Sequence, residues 1–308
     1  MSKAVQFAEY GPPEVLKLVD VPDPQAGPGQ VRVVMCAAGV NPVEYKIRSG
    51  FMAARRKIEL PAGLGSEFAG VVDQLGEGVT ELAVGDEVLG FSQSPAYAEL
   101  VLADPAQLAR KPSHVDWEHA GGISIGARTS YTVLAMLDLK AGETLLIHAA
   151  AGGVGIVATQ IAHARGARVI GTAREDNHEF LRSIGAEPVT YGEGLAERVR
   201  AISPDGVDAV LDASGRGELP VSIELAGGPQ HVVTIAAYDS ADYGVAFAGP
   251  DQAAKFDPQL AIGEAVALLD AGRLQMPVWK TYPLADAAAA HAESEQAHLR
   301  GKIILLPS

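Results

Sequence analysis

Cysteine is nearly absent: Cys36 is the single one in 308 residues. One thiol can form neither an intramolecular disulfide nor a multi-cysteine zinc knuckle, which points to a reducing compartment, the cytosol. Cations are outnumbered, with Lys+Arg at 24 against Asp+Glu at 38 and a formal charge of −14. So acidic a chain has no global attraction for nucleic acid or anionic lipid, and no long basic stripe offsets this. No uncharged apolar stretch reaches the roughly 20 residues of a membrane span. The N-terminal MSKAVQFAEYG lacks the cationic-then-apolar pattern of a secretory signal. Aromatic residues are also scarce, at 6%.

What is present is aliphatic. A hydrophobic fraction of 48% with 20% charged residues suits a globular chain with sizeable cores and disfavours disorder. The length fits about two domains of roughly 150 residues each. The 34 glycines fit tight turns and close backbone packing, or a GC-rich genome.

The first hundred residues predict short strands at spacings near ten residues: Ala4–Tyr10, Val15–Val21, Val31–Gly39, Glu67–Leu75, Val84–Phe91 and Tyr97–Leu102. Turn-rich strings such as Gly11-Pro12-Pro13 separate them, as in a β-rich, barrel-like domain. From Asp116 to about Ser214 the pattern changes. Continuous apolar strands are predicted at Thr144–Ala150, Arg168–Ala173, Glu187–Tyr191 and Val207–Ala213, with a further one at His231–Ala237. Helical spacing intervenes at Ile156–Arg165 and Glu175–Ile184, the mark of a parallel sheet buried on both faces. A helix is predicted over Pro258–Ala271 and a last strand over Gly301–Leu306.

The most informative segment runs from Thr144 through the spacing Ala149-x-x-Gly152-x-x-Gly155. A buried strand enters a glycine-rich turn, and a helix comes next. A pyrophosphate approaches backbone N–H groups at such a helix N-terminus only where no side chain intervenes, so Gly152, Gly153, Val154 and Gly155 are read as a dinucleotide cradle. An NAD site ordinarily has a carboxylate about 20 residues past the first glycine. Here that place holds Thr172-Ala173-Arg174. Arg174 suits a 2′-phosphate, with His178 one turn further on, so NADPH is the expected cofactor. Glu175 or Asp176 on a ribose hydroxyl would instead mean NAD, and Arg174 in a solvated loop would mean neither.

Four further strings carry a resemblance: Ala37–Gly50 (AAGVNPVEYKIRSG), Leu64–Val72 with its continuations at Gly76–Val79 and Val84–Val88, Thr129-Ser130-Tyr131 before the glycine-rich turn, and Gly301–Leu305. Together they make the chain similar to the medium-chain dehydrogenase/reductase superfamily, in its zinc-independent quinone oxidoreductase branch. The resemblance spans nearly the whole chain. It implies an α/β protein with a Rossmann doubly wound parallel sheet at 116–271 and a GroES-like β-rich catalytic domain from 1–115 and 272–308. It also implies a homodimer or homotetramer.

Zinc-dependent members of that superfamily carry Cys where this chain has Asn41 and His where it has Ser66, and they have a four-cysteine lobe that is missing here. Asn and Ser are poor zinc ligands and Glu67 alone cannot hold the ion, so no metal is expected. His114, His119 and His163 lack ligand spacing. Without a Lewis acid, an activated acceptor is the expected substrate: a quinone or an α,β-unsaturated carbonyl, reduced by hydride and stabilised by a hydrogen-bond donor at the acceptor oxygen. The alternatives are an enoyl-thioester reductase and an NADPH-binding sensor without turnover.

Candidate donors are Asn41, Tyr45 and Lys46. The resemblance places Asn41 at the cofactor. Many quinone reductases have Tyr where this chain has Lys46, preceded by Thr. Here Tyr45 and Lys46 occupy the pair, and Lys46 reads equally as a solvated helix residue. Glu44 is read as a helix cap or an ion-pair partner of Arg48, and Arg55-Arg56-Lys57 as a solvated loop. On the cofactor side stand Thr129 and Tyr191, with Ser214, Ala236 and Ala237 at strand carboxyl ends and Phe247 beyond them. Tyr191 reads equally as a packing aromatic.

Overall fold

A computed structural model describes residues 1–54, 58–296 and 299–307. Arg55, Arg56 and Lys57, read above as a loop, lie outside the described residues. The chain divides into two compact units. The first comprises Met1–Ile125, Ile262–Ala271 and Met276–Ser308; the second comprises Gly126–Ala261 and Gly272–Gln275. The sequence pattern changes at Asp116, ten residues before this division. Trp117–Gly121 forms a short helix whose Gly121 lies so close to Ala37 that a Cβ there would fall 2.6 Å from the Ala37 methyl.

In chain order the strands are β1 (Ser2–Phe7), β2 (Lys17–Val21), β3 (Val31–Val40), β4 (Ala62–Gly63), β5 (Glu67–Leu75), β6 (Glu87–Phe91), β7 (Leu100–Ala103), β8 (Leu108–Arg110), β9 (Thr144–His148), β10 (Arg168–Thr172), β11 (Ala186–Val189), β12 (Ala209–Asp212), β13 (Val232–Thr234), β14 (Ala246–Phe247), β15 (Val278–Pro283) and β16 (Lys302–Leu306).

In the first unit β15-β16-β3-β5-β6-β8 make one sheet, with β7 also paired to β3, and β2-β1-β4 make a second. Strand β3 alternates Val31, Val33 and Met35 into the core, where they meet Phe68, Val72, Val88, Val101, Ile303 and Leu305. Each such buried side chain contributes about 1.5–3 kcal/mol. Strand β16 joins antiparallel to β3, pairing Ile304 with Gly39, so Lys302–Leu306 adds to a sheet that begins at Val31.

In the second unit six strands run parallel in the order β11-β10-β9-β12-β13-β14. The order reverses between β9 and β12, and such a switch point leaves a crevice at the strand carboxyl ends. The helix Gly153–Ala164 crosses from β9 to β10 with Ile156, Val157, Ile161 and Ala162 buried.

Several boundaries move for local reasons. The strand read over Val84–Phe91 begins at Glu87, because Gly85 turns the chain at φ +95°. The strand read over Thr144–Ala150 stops at His148, because Ala149 adopts φ +54°. The helix read over Glu175–Ile184 is a 3-10 turn and then a helix at His178–Ser183. Periodicity does not single out the helices Pro42–Arg48 and Ala287–Glu295. Among the described residues no helix is long and apolar enough to cross a membrane.

Candidate active site

Each unit carries a polar constellation of its own. In the second unit it begins at the glycine-rich turn. Ala149 turns left-handed, Gly152 caps the helix, and Gly153–Ala164 begins with N–H groups that lack intrahelical partners. A Cβ on Gly155 would stand 2.5 Å from the Ala149 carbonyl oxygen and 2.6 Å from Ala150 Cα, so only glycine lets this helix sit on its strand. A Cβ on Gly152 would meet nothing nearer than the Ala149 oxygen at 3.3 Å, and its free space is the space an anion needs. Gly153 and Val154 are half-buried beside it. A bare turn with unpaired N–H groups and the positive end of a helix dipole fits a dinucleotide pyrophosphate.

Below that turn lies a buried polar row. His148, Thr172, Asp212 and Thr234 end four strands, β9, β10, β12 and β13, and none exceeds 2% exposure. Their hydrogen bonds have a forced direction. The Ala149 N–H donates to Thr172 Oγ1 at 3.3 Å, and Ser222 Oγ donates to the Glu218 carbonyl at 2.7 Å. His148 Nε2, 2.9 Å from Ser222 Oγ, is therefore the donor, and Nδ1 is the acceptor facing Thr172 Oγ1 at 3.4 Å. Burial holds the His148 pKa below its ordinary value, consistent with this neutral tautomer. Asp212 Oδ1 accepts the N–H groups of Ser214 and Gly215 at 2.9 and 3.0 Å, and its Oδ2 accepts Thr234 Oγ1 at 2.8 Å. Thr234 Oγ1 accepts in turn from the N–H groups of Ala236 and Ala237. Two carboxyl-end loops thus hang on one carboxylate.

The residues read as cofactor-binding separate accordingly. Arg174 and Tyr191 are exposed and His178 is half-buried. Arg174 Nη2 lies 3.4 Å from Asp176, and His178 Nε2 lies 3.4 Å from the Ala173 carbonyl. Thr129 is half-buried on the helix Ser124–Met136, next to Ser130, whose hydroxyl donates to the Val154 carbonyl at 3.3 Å. Ser214 and Ala236 are half-buried, Ala237 is buried, and Phe247 stacks on Tyr238 with ring centroids 5.4 Å apart. Thr172 and Ala173 face inward, the hydroxyl in the buried row and the Ala173 N–H on the Val189 carbonyl at 3.0 Å.

The first unit holds the second constellation, on the helix Pro42–Arg48 and strands β5 and β16. Asn41 is the N-cap and Glu44 closes the cap, its Oε2 accepting the Asn41 N–H at 2.6 Å. The ion-pair reading of Glu44 is corrected: Arg48 pairs with Glu295 instead, because it emerges on the face toward Ala287–Glu295. Asn41 Nδ2 donates to Glu67 Oε1 at 2.9 Å and lies 3.4 Å from Glu44 Oε1, while Asn41 Oδ1 accepts from Lys302 Nζ. Lys302 Nζ also stands 2.8 Å from Glu67 Oε1, and Glu67 Oε2 accepts the Ile125 N–H at 2.7 Å. The Asn41 amide is thus held on both sides within the protein. Glu44 Oε1 accepts from Ser66 Oγ at 3.1 Å. Burial above all, with the Glu67 charge, pushes the Glu44 carboxyl up to about 7, against the pull of Lys302. Tyr45 and Lys46 are half-buried on the same helix.

This donor set does not fit zinc. An ammonium already holds Asn41 Oδ1 and Glu67 Oε1, and Ser66 offers a neutral hydroxyl. Among the described residues no three His, Cys, Asp or Glu side chains converge on a metal position. His114 and His119 lie instead near Asp270 and Asp116, and the exposed His163 ring packs by Gly185. Sequence reasoning missed Lys302, His148 and Asp212 as organising residues. Their signal was a polar residue inside an apolar strand, in KIILL, TLLIH and AVLD.

Residues 27–139 match the family described as alcohol dehydrogenase GroES-like domain, and residues 184–305 the family described as zinc-binding dehydrogenase. The chain is 34% identical to a quinone oxidoreductase of Pseudomonas aeruginosa, with all of both chains covered. It is 30% identical to the chloroplastic NADPH-dependent alkenal/one oxidoreductase of Arabidopsis thaliana, over 99% of this chain and 79% of that one. The crystal structure of Escherichia coli quinone oxidoreductase complexed with NADPH superposes with a TM-score of 0.87 at 28% identity, over 99% and 100% of the two chains. The chain belongs to the zinc-independent quinone oxidoreductases of the medium-chain dehydrogenase/reductase superfamily.

Proposed function

We propose that the protein reduces a quinone or an α,β-unsaturated carbonyl compound with NADPH. The observation that carries this reading is the end-to-end likeness to quinone oxidoreductases, joined to a donor set that an internal lysine occupies in place of a metal. When bound, NADPH supplies the hydride. In this reading the amides of Gly152, Gly153, Val154 and Gly155 hold the pyrophosphate. Arg174 and His178 take the 2′-phosphate, with Tyr191 beside it. Thr129, Ser214, Ala236, Ala237 and Phe247 line the remainder. His148, Thr172 and Asp212 act from below, by fixing the loops that carry the contacts.

In the first unit Asn41 shapes the cofactor side as the fixed centre of a hydrogen-bonded cluster, while Tyr45 and Lys46 stand on the substrate side. The hydride leaves negative charge on the acceptor oxygen, and preorganised donors stabilise it without reorganisation. In this reading the chain forms a homodimer or homotetramer, as the family resemblance implies. The lone Cys36 fits the cytosol.

The test is steady-state NADPH oxidation with phenanthrenequinone, para-benzoquinone and a crotonyl thioester. The reading expects turnover of a quinone or enone. Turnover of the thioester alone would make the protein an enoyl-thioester reductase, and tight NADPH binding without turnover would make it a sensor.

A further inference from the structure

We propose that Glu44 stores the proton this reduction consumes and that Ser66 Oγ is the atom through which it leaves. The inference rests on the reductase reading above. Each hydride delivered to a quinone or enone creates an anion that must gain one proton.

Glu44 is 1% exposed, and its carboxyl oxygens touch three groups: the Asn41 N–H, the Asn41 amide and the Ser66 hydroxyl. Asn41 is itself buried, with its amide engaged by Glu67 and Lys302. Among these partners Ser66 alone is not buried, and its hydroxyl lies 3.1 Å from Glu44 Oε1, so among the described residues it is the proton's route from the carboxyl. Among the described residues the charged and titratable groups facing Glu44 are Lys302 on β16, Glu67 on β5 and Tyr97 before β7, whose hydroxyl has no hydrogen-bond partner there.

With Glu44 ionised, Ser66 donates inward to it. With Glu44 protonated at Oε1, that O–H donates to Ser66 Oγ and frees the serine proton to point outward. The step then balances. The Oε1–H bond of Glu44 breaks as Ser66 Oγ gains that proton, and the original Ser66 proton bonds to the substrate anion. No electron changes hands. The Glu44 carboxylate left behind faces Lys302 and regains a proton from solvent by the reverse path. A carboxyl held at about 7 has both forms populated near neutrality, as a reversible store requires.

The substitutions Glu44→Gln and Ser66→Ala test this in the full chain with NADPH. Glutamine retains an oxygen for the Asn41 cap but has no proton to release at neutral pH. Both variants should lose about a hundredfold in kcat, keep KM for NADPH within about twofold, and lose the neutral limb of the kcat–pH profile. A readout without cofactor is the carboxyl carbon-13 resonance of Glu44, which should titrate across neutral pH. It should move to higher pH in Ser66→Ala, since the serine hydrogen bond favours the carboxylate. Wild-type turnover with kcat and pH profile unchanged by both substitutions overturns the proposal alone, as does a Glu44 resonance that stays in one form across neutral pH. Loss of the limb in Tyr45→Phe or Lys46→Met, with Glu44→Gln unaffected, also overturns it. Failure of the wild-type protein to oxidise NADPH with any acceptor refutes the reductase reading, and this proposal with it.

Discussion

Lys302 Nζ lies 2.8 Å from Glu67 Oε1, and both side chains are buried. The two residues come from β16 and β5, which lie on either side of β3, so this ion pair spans three strands. A buried pair is costly to assemble, and breaking it strands an unpaired charge, at about 3–5 kcal/mol. Lys302→Met is therefore expected to lower the thermal midpoint of the protein by several degrees. It should also push the Glu44 carboxyl further up, because Lys302 pulls it down more than the Asn41 and Ser66 hydrogen bonds do. Calorimetry and a Glu44 titration check both. Adding Glu67→Gln to Lys302→Met should recover part of the lost stability.

Gly155→Ala puts a Cβ within 2.5 Å of one backbone atom and 2.6 Å of another, and backbone atoms cannot swing away as a side-chain tip can. The helix Gly153–Ala164 must shift off its strand. NADPH affinity, tracked by nucleotide fluorescence, is expected to fall by at least about tenfold. Unchanged affinity would mean the pyrophosphate is held elsewhere.

Asp212→Ala removes the acceptor of the Ser214 and Gly215 N–H groups and of Thr234 Oγ1 at once. Each buried donor left without a partner costs about 1–3 kcal/mol. Lower stability together with weaker NADPH binding is expected, measured by denaturant unfolding and fluorescence. Asp212→Asn, which keeps one acceptor oxygen, should recover part of both.

Arg174→Ala should leave stability unchanged, since the side chain is exposed. On the proposed role, NADPH affinity falls by about tenfold while NADH affinity is unmoved, because a charge-assisted contact to the 2′-phosphate is lost. Equal loss for both nucleotides would refute that role.

Acid and neutral pH should act on different residues. His291 is fully buried, and burial, with the Arg48 charge, lowers its pKa from 6.5 to about 3. Between these values the unfolded chain binds a proton that the folded one refuses, so stability drops as pH falls from 6.5 toward 3. Glu44 has the opposite sign. Its folded pKa of about 7 lies above the ordinary 4.5, so its contribution to stability drops as pH rises through that interval. His291→Phe should flatten the acid slope and Glu44→Gln the neutral one, each read from thermal midpoints across pH.

Much of the fold is legible along the chain because its signals are local. Strand β5 has the bounds its apolar run predicts, and the glycine-rich turn stands where Ala149-x-x-Gly152-x-x-Gly155 places it. Strand β9 ends two residues early because Ala149 turns left-handed to bring the chain into Gly152 and the helix beyond, a conformation its apolarity does not signal. The helix Pro42–Arg48 is signalled by its cap, Asn41 with Glu44, rather than by an apolar stripe, and Ala287–Glu295 hides in alanine and charged residues, where long-range packing makes it.

The sequence by itself determined the two-unit α/β plan, the glycine-rich strand-turn-helix and the unsuitability of Asn41 and Ser66 as zinc ligands, since each depends on residue type and short spacing. Tertiary structure alone decided that Lys302, 261 positions from Asn41, donates to its amide, and that Glu44 faces Ser66 rather than Arg48. It also decided that His148, Thr172, Asp212 and Thr234 form one row. The physical reason is that burial and charge pairing belong to pairs of residues. Whether a lysine is a solvated cation or the internal partner of a buried carboxylate depends on which strands the fold places side by side.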